Sequence, residues 1–409
     1  MQWYRYQDKM RAAATATVTD KAEKTARQGH PWIYADEVVS VDGGYENGDI
    51  IDVRSKKGKY VGSGFINDNS KIRIRIISRN ANDVFDRAFW ERRVKYAVDY
   101  RRTVMPGDDF RCCRLIFGEA DTFPGLTVDR FEDVLVTEVL SLGIEQRKGV
   151  IYDALLSTLR SYGQNITAIY ERSDSQIRLL EGMEPHTGFY YGEGGGTVGI
   201  TENGIKYTVD YINGQKTGYF LDQKYNRAAV GRICAGKRVL DCFTHTGAFA
   251  CNAAKGGAAS VTAVDVSGKA IEDAKKNARE NGLDIDFVCA DVFEYLTELY
   301  ENNDRRFDLI ILDPPAFTKS RDTVKDAMRG YKEINLKAMR LLPRGGYLAT
   351  CSCSHFMRDS LFCQMLHGAA EDAGVSLRQI EARQQSPDHP ILWNVPETDY
   401  LKFYIFQIV

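Results

Sequence analysis

Nowhere in the 409 residues is there an apolar run near the roughly 20 residues that a membrane-spanning helix needs. The opening Met1-Gln2-Trp3-Tyr4-Arg5-Tyr6-Gln7-Asp8-Lys9 lacks the basic-then-apolar pattern of a secretory leader. These absences predict a cytoplasmic protein that does not engage a membrane. The nine cysteines include no repeated CxxC pair, which argues against a zinc knuckle and an exported disulfide framework and predicts reduced thiols. Six scattered histidines show no HExxH spacing, so no metal site is expected. Internal repeats and low-complexity tracts are also missing.

What the chain does have is an ordinary globular composition, 44% hydrophobic and 27% charged, in a length that one core rarely organises. Two or three domains are expected. The net charge of −2 conceals an asymmetry: residues 1–105 hold 20 Lys and Arg against 14 Asp and Glu, or +6, leaving −8 for the rest. A polyanion would meet the N-terminal third first, although the same excess also suits a solvated surface.

Residues 1–80 read as short strands between glycine-rich turns, among them Ile50–Val53, Tyr60–Ile66 and the alternating Lys71-Ile72-Arg73-Ile74-Arg75-Ile76-Ile77. Side chains alternate along a strand, so that run predicts a small β-barrel with a basic outer stripe. Residues 81–191 are mixed: a helical pattern over 84–104, a strand over Val134–Leu140 and a helix over 145–160. Gly192–Gly199 reads as a linker or wide turn, and a third domain spans 192–409 with a β-hairpin at its start.

Beyond residue 200, strands predicted at 238–242, 260–265, 284–289, 307–313, 347–352, 376–383 and 399–408 alternate with amphipathic helices between the first six. Such alternation means an α/β fold with a sheet covered on both faces. The helix over 268–281 carries its own punctuation: Ser267 as N-cap, Glu272 four residues before Lys276, and Gly282 just past its end. With no helix between the last two strands, the final one should return antiparallel. That order resembles the seven-stranded, Rossmann-like pattern of class I methyltransferases.

In such sheets ligands sit outside the carboxyl ends of the strands, near the switch in strand order. The first strand runs into Asp241-Cys242-Phe243-Thr244-His245-Thr246-Gly247, with one glycine where a dinucleotide fingerprint would place GxGxxG. That turn suits the amine and carboxylate of S-adenosylmethionine better than a pyrophosphate. Asp265, with Val266 and Ser267, ends the second strand 24 residues past Asp241, near the spacing of about 20 for a ribose-binding acid. Asp291 ends the third and is offered to the adenine amino group. His245 either contacts ligand or caps the following helix, and Phe243 and Val292 either form an apolar slot for the adenosine or belong to the core.

The fourth strand ends in Asp313-Pro314-Pro315-Ala316-Phe317, where two prolines fix an extended exit suited to holding a flat base. Beside it the fifth ends in Thr350-Cys351-Ser352-Cys353-Ser354-His355-Phe356. Cytosine C5 is too weak a nucleophile to take a methyl group unaided, and a thiolate adding to C6 activates it. Cys351 and Cys353 are both candidates for that thiolate, with Asp313 holding the N3/N4 edge of the base. Reaching C6 requires a flipped or unpaired nucleotide.

These residues together resemble the PUA-domain-containing family of 23S rRNA cytosine-5 methyltransferases over nearly the whole chain. Gly29-His30-Pro31-Trp32-Ile33-Tyr34 is similar to that family's PUA signature, and Gly118–Phe131, GEADTFPGLTVDRF, to its central domain. Most specific is Lys216-Thr217-Gly218-Tyr219-Phe220-Leu221-Asp222-Gln223. The resemblance implies that Gln223 and Tyr219 touch S-adenosylmethionine, that Lys216, Pro314, Pro315 and Phe317 serve the substrate, and that ribosomal RNA is the partner. Ser-Cys-Ser at 352–354 assigns the nucleophile to Cys353, whereas the Thr-Cys-Ser of other RNA cytosine-5 methyltransferases would choose Cys351. The chain departs from the family in Ala316, where lysine is familiar, and in His355-Phe356 in place of Gly-Leu. A guanine-N7 methyltransferase would need no cysteine, a non-catalytic ribosome assembly factor would not need the three cofactor acids, and a nicotinamide dehydrogenase would need GxGxxG. A homodimer remains open.

Overall fold

The computed structural model describes residues 13–318, 320 and 322–409, so the reading of Met1–Lys9 falls outside it. The chain forms two compact units. The first holds the residues up to Ile200 together with Val209–Leu221 and Pro387–Thr398; the second holds Thr201–Thr208, Asp222–Ser386 and Asp399–Val409.

The first unit begins with β1 (Thr15–Val18), α1 (Asp20–Arg27), β2 (Trp32–Ile33), β3 (Val38–Asp42), β4 (Ile50–Ser55), β5 (Tyr60–Ile66) and β6 (Ile74–Ser78). The six strands form one sheet in the order β2-β6-β5-β4-β1-β3 around Ala16, Val18, Ile33, Ile51, Val53 and Ile74. Gly64 is required where β5 crosses β6, because a Cβ there would lie 2.3 Å from the Arg75 carbonyl oxygen. The expected basic stripe on β6 is not a free face. Arg75 is 12% exposed and pairs with Glu181 at 2.8 Å and Glu119 at 3.6 Å, and Arg73 pairs with Asp68 at 2.8 Å. Burying a guanidinium is costly unless it is paired, so these cations are spent inside the unit. Exposed positive charge collects instead at Arg54, Lys56, Lys57 and Lys59, around the β4–β5 turn.

After α2 (Arg87–Val104), a second sheet is built from β7 (Cys112–Phe117), β8 (Leu126–Phe131), β9 (Val134–Val139), β10 (Ala168–Ser173) and β11 (His186–Tyr191), in the order β11-β10-β9-β8-β7. The connection between β9 and β10 contains α3 (Leu142–Glu145) and α4 (Lys148–Ser161). Arg101 of α2 is fully buried, and its guanidinium donates to both carboxylate oxygens of Asp121, at 2.6 and 2.8 Å, and to the carbonyls of Arg114 and Asp388. The glycine-rich stretch read as a linker gives way at Thr197 to a hairpin, β12 (Thr197–Glu202) and β13 (Ile205–Asp210). Its two-residue turn, Asn203-Gly204, has φ of 52° and 71°, the left-handed pair that a tight hairpin demands.

The second unit continues with α5 (Lys224–Gly231), β14 (Arg238–Cys242), α6 (Ala248–Lys255), β15 (Ser260–Asp265), α7 (Gly268–Glu280), β16 (Asp286–Cys289), α8 (Val292–Glu301), β17 (Leu309–Leu312), α9 (Val324–Leu341), β18 (Tyr347–Ser352), α10 (Asp359–Ala373), β19 (Leu377–Arg383) and β20 (Lys402–Ile408). The seven strands lie in the order β16-β15-β14-β17-β18-β20-β19, with β20 antiparallel to both neighbours. Ser267 caps α7 by accepting from the Ala270 N–H, while Lys276 pairs forward with Glu280 at 3.8 Å. The sheet is buried on both faces. Leu240, Cys242, Ile310, Leu312 and Leu348 face α8, α9 and α10, and Val239, Ile311, Ala349 and Cys351 face α5 and α6. Alternation then puts Asp241, Asp313 and Cys353 on the same face as Cys351.

Candidate active site

The order of strands reverses between β14 and β17, and the residues singled out in the second unit follow the ends of the central strands. After β14 the backbone coils tightly. Phe243, His245 and Gly247 all have positive φ, 63°, 50° and 79°. For the two non-glycine residues this costs roughly 1–3 kcal/mol each, and such conformations persist where the surroundings over-determine them. Here the surroundings are carboxylates. Asp241, wholly buried, accepts from Thr244 Oγ1 at 2.5 Å and from the Ala250 N–H at 2.9 Å. Asp265 accepts from the His245 N–H through Oδ2 and from the Ser267 N–H through Oδ1, each at 2.9 Å. Burial pushes Asp241 up to about 7 and lowers His245.

The three acids named from sequence therefore differ in position. Asp265 is half-buried at the rim, anchored by two backbone N–H groups and retaining acceptor capacity on both oxygens. Asp241 lies beneath the turn, with Oδ1 lacking a hydrogen-bond partner among the described residues. Asp291 is exposed and caps α8, its Oδ1 accepting from the Phe293 and Glu294 N–H groups. Val292 is 2% exposed and belongs to the core. Val266 stands 69% exposed beside Asp265. Thr244 is buried, and the carbonyl of Thr246 accepts from Asn277 at 3.0 Å. Phe243 packs against Phe293 and Phe317, both with ring centroids 6.5 Å away, so Phe317 is held by aromatic neighbours, including Tyr331 at 4.5 Å.

The ends of β17 and β18 meet in one polar network. Gln223 Nε2 donates to Asp313 Oδ1 at 3.1 Å and lies 3.4 Å from Cys351 Sγ, while its Oε1 accepts from Asn226 at 2.6 Å. The Cys351 thiol donates to Asp313 Oδ1 at 2.8 Å. Burial raises Asp313 to about 6, against the opposing pull of the Cys351 hydrogen bond and the Arg227 charge. It raises Cys353 to about 12 and lifts Cys351 well above the usual thiol range, with the Asp313 charge adding to both. The two cysteines are otherwise unlike: Cys351 is fully buried and engaged, whereas Cys353 is partly exposed, its Sγ 4.0 Å from the Pro314 carbonyl. Pro314 is buried and Pro315 exposed. Lys216, exposed, and Tyr219, 4% exposed, belong to the first unit.

Sequence reading missed Asn226, which orients Gln223, and Lys402, a buried cation whose Nζ donates to the Ser354 and Tyr400 carbonyls at 2.7 and 2.8 Å. The first left no signal beyond ordinary helix composition. The second did, as the single charge in Leu401-Lys402-Phe403-Tyr404-Ile405-Phe406.

Residues 118–406 match the model of a family described as S-adenosylmethionine-dependent methyltransferase, and residues 16–79 match a PUA-like domain. The chain belongs to the S-adenosylmethionine-dependent methyltransferase family. It is 40% identical over 390 residues to ribosomal RNA large subunit methyltransferase I of Pseudoalteromonas translucida, covering 94% of this chain and 97% of that one. It is 42% identical over 385 residues to the protein of the same name from Aeromonas hydrophila, covering 93% and 96%. Among solved structures, one from Streptococcus mutans described as a SAM-dependent methyltransferase superposes with a TM-score of 0.80 at 22% identity, covering 96% of this chain and 99% of that one, a likeness of fold. S-adenosylmethionine is the cofactor of the family, and the strand ends fit it: a carboxylate at the rim with free lone pairs, an exposed apolar side chain beside it, and a tight polar turn. Among the described residues no cluster could hold a metal ion, and no helix is long and apolar enough to cross a membrane.

Proposed function

We propose that this chain methylates C5 of a cytosine in large-subunit ribosomal RNA, with Cys353 as nucleophile. The observation that carries the reading is the contrast between the two thiols at the end of β18. A base must be approached by a sulfur that can leave the core, and Cys353 is the partly exposed one beside the Asp313-Pro314 corner. Cys351 is the donor that fixes Asp313. The relatives' name, ribosomal RNA large subunit methyltransferase, supplies the substrate class.

Bound S-adenosylmethionine supplies an electrophilic methyl group. The chain supplies the rest. The Cys353 thiolate forms a bond to C6 of the cytosine, and the electron pair of the C5–C6 double bond moves toward C5 and N3. Asp313, raised toward neutrality, delivers a proton where that charge builds at N3 and accepts from the exocyclic amine. Once C5 carries the methyl group, its proton passes to solvent water, that electron pair restores the C5–C6 double bond as the C6–S bond breaks, the thiolate returns, and N3 gives its proton back to Asp313. Gln223 and Cys351 hold Asp313 in place throughout, and Asp265 with the 243–247 turn is positioned to hold the ribose and the amino-acid end of the cofactor.

The test is incubation with labelled S-adenosylmethionine and large-subunit rRNA lacking the modification, followed by digestion to nucleosides and mass spectrometry. Labelled 5-methylcytidine is expected from the native chain and from Cys351→Ala, at a reduced rate, and none from Cys353→Ala. Methylated guanosine formed equally by all three proteins would overturn the reading.

A further inference from the structure

The mechanism above leaves a buried lysine next to the Ser352-Cys353-Ser354 turn unused. Lys402 is 5% exposed, the one charged residue of β20, whose other residues are Phe403, Tyr404, Ile405, Phe406, Gln407 and Ile408. It lies opposite Ser352 in the antiparallel pairing of β20 with β18, one residue before Cys353. Its Nζ donates to the carbonyl of Ser354, the residue after Cys353, and to that of Tyr400. An ammonium held by two carbonyls has a third N–H to direct, and a buried cation is retained at a cost of solvation that a neutral residue would avoid.

The surroundings of Cys353 explain what a cation there would do. Its thiol is held up by burial and by the negative charges of Asp313 and Asp222, and Lys402 is the positive side chain that acts against them. The relation is mutual: burial lowers Lys402 to about 8, while Asp399, Cys353, Asp359 and Cys351 favour its charged form. Of the two nearest acids, Asp359 accepts from the Tyr404 hydroxyl at 2.6 Å and Asp399 from Gln384 at 3.2 Å.

We propose that Lys402 is the positioning residue of the nucleophile: it fixes the Ser352-Cys353-Ser354 turn through the Ser354 carbonyl, and its charge supports the Cys353 thiolate. This rests on the assignment of Cys353 as nucleophile. A purely structural lysine would need only its hydrogen bonds, whereas a supporting cation needs its charge, and two substitutions separate these. Lys402→Gln keeps donors and loses charge; Lys402→Arg keeps both donors and charge.

The measurement is the pH dependence of alkylation of Cys353 by iodoacetamide in the folded protein, read by mass spectrometry of the Cys353 peptide with exposed Cys289 as internal reference. Lys402→Gln is expected to slow Cys353 alkylation at pH 8 about tenfold, equivalent to one unit of thiol pKa, and to lower kcat for methyl transfer without changing the affinity for S-adenosylmethionine. Lys402→Arg is expected to stay within about threefold of the native rate, about half of that unit. If the glutamine variant does not fold, Lys402→Asn, which also keeps N–H donors without charge, is measured in its place against the same expectation. A folded neutral variant with the native alkylation profile, or an arginine variant as slow as the neutral one, overturns the proposal. Because alkylation requires no RNA, that failure is distinct from failure of the 5-methylcytidine assay.

Discussion

Asp313 gives the most demanding prediction, because its burial and that of Cys353 combine into a definite pH profile. Catalysis by the proposed route needs the thiolate of Cys353, raised to about 12, and the protonated carboxyl of Asp313, raised to about 6. Below pH 12 the thiolate fraction grows tenfold per pH unit; above pH 6 the protonated carboxyl shrinks tenfold per unit. Their product climbs as pH rises to about 6 and is level above it. The plateau is a signature of two groups held in the less populated of their states. Asp313→Asn removes the titrating acid while keeping a partner for Gln223 and Cys351. In that variant the thiolate sets the slope while Lys402 keeps its charge, so the rate should continue to rise about tenfold per unit, or about a hundredfold between pH 6 and pH 8, where Lys402 begins to lose its proton. Removing the carboxylate charge also brings the Cys353 thiol down, so it is the slope and not the absolute rate that reports Asp313. The assay is kcat/KM for transfer of labelled methyl to unmodified rRNA across pH 5.5–8, below the loss of the Lys402 charge, and it reports groups of the free enzyme. A native profile still rising tenfold per unit above pH 7, or the same plateau in native protein and Asp313→Asn, would refute the assignment of Asp313 as the acid.

Two further outcomes test the site and its support. Asp265→Ala should weaken S-adenosylmethionine binding by about 10- to 100-fold, the range expected for hydrogen bonds to an ionised group, as measured by calorimetry; unchanged affinity would remove Asp265 from the cofactor site. Arg101→Met should destabilise the first unit by about 3–5 kcal/mol in chemical denaturation, because it leaves buried Asp121 without its bidentate partner. A loss below about 1 kcal/mol would show that the pair is dispensable.

Much of the second unit was legible along the chain. Leu309–Leu312 and Tyr347–Ser352 are strands because apolar runs bounded by turn chemistry have few other solutions, and the missing helix before Lys402–Ile408 fixed the return of that strand. The candidate nucleophile could be narrowed to two thiols by chemistry alone. The first unit was less transparent. The alternation of Lys71–Ile77 described a strand truthfully but said nothing of what lay across from its cations, and Arg75 proved to be committed to Glu181, 106 residues away. Asp291 shows a related limit: the spacing that offers a strand-terminating acid to a ligand does not tell that its Oδ1 also caps α8.

Local sequence thus determined the elements, their alternation and the chemical types gathered at the strand ends, since helix caps, turns and period-two burial depend on near neighbours. Tertiary structure alone decided which of those groups is buried, paired or reachable. Cys351 in β18 and Cys353 just past its end sit two residues apart, and only packing makes the first a donor to Asp313 and leaves the second partly open. Lys402 acquires its place beside the thiol because β20 pairs antiparallel with β18, a contact between residues about 50 positions apart that no local pattern encodes.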